Sequence, residues 1–98
     1  MRNNRTVPGR VSTRFEERVY AVVRTIPKGE VRSYVWVAKQ LGNSGLARAV
    51  GQALHRNPDT TRTPCHRVIR ADGTLGGYAF GPRRKAALLR AEGAQIGV

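Results

Sequence analysis

The residues with the most chemical potential stand together at Pro64-Cys65-His66-Arg67-Val68. Cys65 is the single cysteine in 98 residues, and an imidazole follows it directly. A thiol attacks carbon well only as the thiolate, and a neighbouring imidazole or cation favours that ionisation. The pair is therefore a candidate nucleophile with its base. The competing reading is a small buried hydrophobe beside a satisfied polar neighbour, and the dipeptide alone leaves both open. Glu92 falls at the expected end of the last helix, where the helix dipole favours cations. That misplacement points to a proton relay or a buried donor as its partner. Arg83, Arg84 and Lys85 crowd the start of the same helix, where anions are favoured, which points to phosphates. For both, tolerated surface charge is the alternative.

The elements that must hold these groups are legible from periodicity and caps. Thr13-Arg14-Phe15-Glu16 is a capping box. Phe15, Val19, Val22, Val23 and Ile26 recur behind it at helical spacing, which predicts a first helix stopped by Pro27 and Gly29. Glu30-Val31-Arg32 reads as a short extended piece. Ser33 caps a second helix running from Tyr34 to Leu41, with Val37, Ala38 and Leu41 facing inward. Gly42-Asn43 makes a tight turn, and a third helix from Gly45 to Arg56 carries Leu46, Ala49, Val50, Ala53 and Leu54 on its apolar face. Two helices around a glycine turn form a helix-turn-helix pattern whose second member suits a DNA groove, although many helical proteins contain such a pair. Asn57-Pro58 ends the third helix. Val68-Ile69 and Thr74-Leu75 flank Asp72-Gly73, which reads as a hairpin, or wing. A glycine-rich loop leads to Pro82, which opens a last helix reaching Glu92, with Ala86, Leu88 and Leu89 apolar and Gly93 as its stop. His55 reads as a solvated residue on the third helix. The fold class expected is α+β, mostly helical, a winged helix-turn-helix domain.

The length fits one domain, residues 13–98, behind a basic tail of residues 1–12 that carries Arg2, Arg5 and Arg10. The tail reads either as an electrostatic arm or as a solvated terminus. Eighteen Lys and Arg against six Asp and Glu give a net charge of +12, a field that attracts polyanions, nucleic acid above all. No apolar run approaches the roughly 20 residues of a membrane-spanning helix. One cysteine excludes an internal disulfide and a cysteine-rich zinc site, and residues 1–12 lack the apolar core of a signal peptide. The expectation is a cytoplasmic monomer with no metal and no cofactor.

Taken in order, Ser33-Tyr34, Ala47-Arg48-Ala49-Val50-Gly51, Asn57-Pro58, the Cys65 motif, Gly73-Thr74-Leu75-Gly76-Gly77-Tyr78, and Lys85 through Leu88-Leu89 to Glu92-Gly93 form a specific series. With that series the chain resembles the catalytic, DNA-binding domain of the O6-alkylguanine-DNA alkyltransferases across residues 15–96. The resemblance implies direct, single-turnover transfer of an alkyl group from O6-alkylguanine in double-stranded DNA to Cys65, after base flipping. It implies His66 as proton acceptor through a water, Glu92 as the group orienting His66, and Asn57 as the brace of the cysteine turn. On the DNA and base side it implies Tyr34, Arg48, Arg67, Val68, Tyr78, Ala79 and Lys85, with Arg48 filling the stack that the flipped base leaves. Three departures stand out. The family's usual additional N-terminal domain has no counterpart here. Its apolar strand before the cysteine reads Asp59-Thr60-Thr61-Arg62-Thr63, and its glycine after the tyrosine is Val35. The related alkyltransferase-like proteins are similarly short and carry tryptophan in place of the cysteine. They imply the alternative function, binding the lesion and recruiting other repair factors with little or no transfer.

Overall fold

The computed structural model describes residues 12–78 and 80–95. The basic tail lies outside this range except for Ser12, as does Ala79. Helix α1 spans Arg14–Val23, strand β1 Arg32–Ser33, helix α2 Tyr34–Gln40, helix α3 Ala47–His55, strand β2 Val68–Ile69 and helix α4 Pro82–Ala91, with single 3-10 turns at Ser44–Leu46 and Cys65–Arg67. The α+β, mostly helical class expected from the sequence is what forms.

The predicted caps are in place. The Glu16 amide donates to Thr13 Oγ1 at 3.1 Å, and the Thr13 amide donates back to Glu16 Oε1 at 2.9 Å. Glu16 is 1% exposed, and its other oxygen accepts from Arg56 Nε at 2.6 Å. The capping residue thus also ties the start of α1 to the end of α3. Ser33 Oγ caps α2 by accepting from the Trp36 amide at 2.9 Å. The turn after α2 passes through Gly42 at φ +95°, a left-handed geometry that glycine adopts without a Cβ penalty. The pair α2 and α3 pack together as the helix-turn-helix, leaving Arg48 exposed on α3.

The inward faces of α1, α2 and α3 meet in one core. Val19, Val23, Val37, Ala38, Val50 and Ala53 are completely buried in it. Tyr20 adds a large ring whose hydroxyl donates to the Ala53 carbonyl at 2.7 Å, so burial leaves no polar atom unpaired there. Cys65 and Val68 belong to the same cluster. The cysteine turn is therefore anchored by the core instead of hanging in a surface loop. Among the described residues no helix is long and apolar enough to cross a membrane.

Two expectations about strands are corrected. The hairpin at Asp72-Gly73 is only a turn: the Arg70 amide donates to the Thr74 carbonyl at 2.9 Å, and Thr74-Leu75 forms no strand. Its would-be first strand instead pairs in parallel with β1, in the register Arg32↔Val68 and Ser33↔Ile69. Residues 59–63 are likewise a run of turns, organised by Asp59 Oδ1, which accepts from the Thr61 amide and hydroxyl and from the Arg62 amide. Aspartate and threonine bond readily to nearby backbone, and here that local bonding replaces a strand ladder. The parallel pair has a consequence for the site. It sets the start of α2, and with it Tyr34, beside the chain that follows the cysteine turn.

Candidate active site

Cys65 opens the 3-10 turn directly after Pro64 and is 5% exposed. The Thr63 carbonyl holds the turn by accepting from the Cys65 amide at 2.8 Å and from Asn57 Nδ2 at 2.9 Å. Asn57 Oδ1 in turn accepts from the Asp59 amide at 3.0 Å, so Asn57 bridges the end of α3 to the polar turns before the cysteine. Thr63 is 1% exposed, and its hydroxyl accepts from Arg24 Nε at 3.0 Å. Sequence reading did not single out Arg24 or Thr63. A threonine two positions before a buried cysteine was the available signal, since a buried hydroxyl requires a partner.

Burial pushes the Cys65 thiol up, while the Asn57 side chain and the Lys85 ammonium pull it back down. His66 is also buried, and its Nε2 lies 3.0 Å from Glu92 Oε2. The contact is close but does not meet the geometry of a hydrogen bond. Glu92 is gripped more firmly by Arg67, whose Nε and Nη2 donate to its two oxygens at 2.9 and 2.8 Å. The Arg67 fork, and next the His66 contact, hold the Glu92 carboxyl down at about 2, against the cost of its partial burial. Glu92 is brought close by a tight backbone approach. A Cβ at Gly29, where φ is +89°, would stand 3.0 Å from the Glu92 carbonyl oxygen. The misplaced charge at the end of α4 thus has buried donors for partners.

Arg67 and Lys85 were expected on the DNA side, and the structure places both elsewhere. The third Arg67 nitrogen, Nη1, donates to the Ile26 carbonyl at 2.9 Å, so its guanidinium is committed to the protein interior. Lys85 is completely buried, and its Nζ donates to the carbonyls of Val68, Leu75 and Gly77 at 2.6, 2.5 and 3.1 Å. It shares the inward face of α4 with Ala86 and Leu89, and that spacing was legible before its charge drew it into the Arg83-Arg84 cluster. Burial lowers Lys85 to about 8, which keeps it largely cationic at neutral pH. Arg83 and Arg84 remain exposed.

Tyr34 stands at the first position of α2, its Oη 3.5 Å from Lys85 Nζ and 3.5 Å from the Gly77 carbonyl. Burial raises the Tyr34 phenol. Gly76 explains how the ring fits: φ is +73°, and a Cβ would lie 3.0 Å from Tyr34 Oη. Tyr34, Arg48, Gly51, Cys65, Gly77 and Tyr78 are among the residues that line an open cavity of about 690 Å³. Val68 is not among them; its side chain is completely buried and its carbonyl accepts from Lys85. His66, Glu92, Tyr78 and Phe80 face a second cavity of about 620 Å³, with the Tyr78 and Phe80 rings edge to face at 5.5 Å. Among the described residues no group of three His, Cys, Asp or Glu side chains gathers as a metal site would require.

Residues 14–94 match the family described as 6-O-methylguanine DNA methyltransferase, DNA binding domain. A methylated-DNA–protein-cysteine methyltransferase of Mycobacterium leprae is 51% identical over 86% of this chain and 51% of its own length. The Shigella flexneri protein of the same name is 52% identical over 83% of this chain and 47% of its own. The chain thus spans about half the length of these curated relatives. Among solved structures, Mycobacterium tuberculosis OGT in complex with DNA superimposes with a TM-score of 0.82 at 51% identity, covering 85% of this chain and 52% of that one. S. pombe Atl1, in complex with damaged DNA containing O6-carboxymethylguanine, gives a TM-score of 0.75 at 33% identity, covering 99% of this chain and 83% of that one. With the cysteine turn, its brace and the matched span agreeing, the chain belongs to the family of the 6-O-methylguanine DNA methyltransferase DNA-binding domain.

Proposed function

We propose that this chain repairs DNA directly, moving an alkyl group from O6 of guanine to Cys65 once per molecule. The observation that carries the reading is a core-anchored thiol on the wall of a cavity, with buried His66 next to it in sequence and in contact with the part-buried Arg67–Glu92 pair. With Nε2 facing Glu92, the other ring nitrogen of His66 is the one that can take the thiol proton through a water. The sulfur then attacks the alkyl carbon in line. The C–S bond forms, the C–O6 bond breaks, and its electron pair stays with guanine, which leaves neutral by taking a proton. Tyr34 Oη, set beside the Lys85 ammonium, is the donor in reach of the cavity. A thioether is a stable linkage, so in this reading the protein is consumed.

An alkyl group on O6 of guanine is enclosed in the duplex, and attack on it requires the base to be extruded. The cavity volume falls within the range of pockets that take small molecules the size of a base. In this reading Arg48, which is exposed on α3 and lines the cavity, fills the vacated stack. The net charge of +12 supports a backbone grip on double-stranded DNA. The chain acts as a monomer without a cofactor in this reading.

The second reading, lesion binding without transfer, is favoured by the similarity to S. pombe Atl1 over nearly the whole chain. Retention of Cys65 supports transfer, and although burial raises its thiol on balance, the Asn57 side chain and the Lys85 ammonium oppose that rise. The test is to incubate the protein with O6-methylguanine duplex and map the methyl group by peptide mass. Recovery of the methyl on Cys65 supports transfer. Tight binding of the lesion duplex with an unmodified Cys65 supports the second reading.

A further inference from the structure

The cavity is lined by cations and by no carboxylate. Arg48, Arg56 and Arg70 all border it, with His55 beside them. Arg56 is held by Glu16, and Arg48 projects from α3 at the site proposed for the stack. Arg70 has neither commitment. Its guanidinium has no hydrogen-bond or ion-pair partner among the described residues, and it is exposed. Asp72, two residues on, is engaged by its own turn, accepting from the Thr74 amide at 2.9 Å and the Thr74 hydroxyl at 2.7 Å, and it feels the Arg70 charge without forming an ion pair with it.

Arg70 is nevertheless not a loose surface residue. It follows β2 directly, and its backbone is fixed by the turn that its amide and carbonyl close with Thr74 and Gly73, at 2.9 and 3.0 Å. One step beyond the Ser33↔Ile69 pairing, the parallel register brings Arg70 alongside Tyr34. The stem of Arg70 packs in the same crowded spot: a Cβ on Gly76 would lie 3.4 Å from Arg70 Cγ and 3.0 Å from Tyr34 Oη. Its charge is felt there, opposing the effect of burial on Tyr34 and adding to it on Lys85. A guanidinium with no hydrogen-bond partner among the described residues therefore lines the same cavity as Cys65, on the side of the residue expected to hold the base.

We infer that Arg70 is a specificity-determining residue that selects O6-alkyl groups ending in a carboxylate, such as O6-carboxymethylguanine, over neutral groups of the same size. The inference rests on the transfer reading and refines its substrate class. In the step itself the Cys65 S–CH2 bond forms and the CH2–O6 bond breaks. The electron pair goes to guanine, and the carboxylate is carried through unchanged onto S-carboxymethyl-Cys65. Arg70 pairs with that carboxylate before and after transfer, through the planar two-pronged donor that suits it.

The test compares two duplexes, one carrying O6-carboxymethylguanine and one O6-carbamoylmethylguanine, which has nearly the same shape and no charge. Transfer rates and dissociation constants are measured at low salt for the wild-type chain, Arg70→Gln and Arg70→Lys. The wild type is expected to prefer the carboxylate by about tenfold, the scale of one charge-assisted hydrogen bond. Arg70→Gln removes the preference and Arg70→Lys retains most of it. A wild-type ratio near one, or a ratio unchanged in Arg70→Gln, overturns the inference. So does an equal loss on both duplexes with a shallower salt slope, which would make Arg70 a phosphate contact. Failure of the transfer reading looks different: neither duplex yields an adduct. The ratio of dissociation constants then decides on Arg70 by itself.

Discussion

Glu92→Gln keeps the shape of the side chain and removes its charge. In the folded protein the carboxyl is held at about 2 against an ordinary value of 4.5. At about 1.4 kcal/mol per pH unit, that difference is on the order of 3 kcal/mol in favour of folding. Only 14% of the Glu92 side chain is exposed, so solvent screens little of it. Replacement leaves Arg67, itself 15% exposed, with one neutral oxygen where it had a charged fork. Relief of an anion at the end of α4 returns only a few tenths of a kcal/mol. A loss of roughly 2–3 kcal/mol at neutral pH is therefore expected, from a total that for such domains is about 5–15 kcal/mol. Because folding depresses this carboxyl, the stabilisation is fully present above pH 4.5 and is lost as pH falls from there through about 2. Urea titrations of both proteins between pH 7 and 3 should show a constant gap that narrows below pH 4.5. Transfer should slow while lesion binding persists, and the pH at which Cys65 becomes reactive should rise. A gap that stays constant down to pH 3 would refute the electrostatic basis of the prediction, and an unchanged transfer profile would remove Glu92 from the mechanism.

Arg48→Ala should slow repair of duplex DNA by at least tenfold, while transfer from a free O6-alkylated base, which needs no extrusion, changes little; equal losses would assign Arg48 to the pocket or the fold. Lys85→Met should cost about 1–3 kcal/mol in a urea titration, because the buried Val68 carbonyl and the part-buried carbonyls of Leu75 and Gly77 lose a charged donor. It should also raise the pH at which iodoacetamide labels Cys65, since the ammonium is one of the groups lowering that thiol. Thr63→Val removes the acceptor of Arg24 Nε beside the cysteine turn. It should slow transfer more than it weakens lesion binding, and parallel losses in both would reduce Thr63 to a packing role.

The helices were legible because their signals are local. Thr13 with Glu16, Ser33, and Pro82 with Gly93 mark ends that the structure reproduces within two or three residues, and most of the buried helix positions are apolar ones read from the spacing, with Glu16 and Lys85 as charged exceptions. The strands were not legible, because a two-residue strand carries no alternation and its partner lies 36 positions away. A parallel pairing leaves no turn signature, whereas Asp72-Gly73 offered a local hairpin that the chain does not build. At the site, the conflict between the charge of Glu92 and the helix dipole pointed to a donor partner, and Glu92 contacts His66 and Arg67, while Asn57 bonds to the Thr63 carbonyl before Cys65. Arg67 and Lys85 were expected on the DNA side from the resemblance, and in the structure both cations are engaged by the protein itself. What buries them is a set of distant acceptors, Glu92, Ile26, Leu75 and Gly77, that no short window of sequence contains.

The intact mass of the protein, followed over time in the presence of excess O6-methylguanine duplex, tests single transfer to Cys65. Each molecule should gain one methyl group and then stop, with Cys65→Ser gaining none. Continued turnover without a mass change, or a methyl group gained by Cys65→Ser, would contradict it.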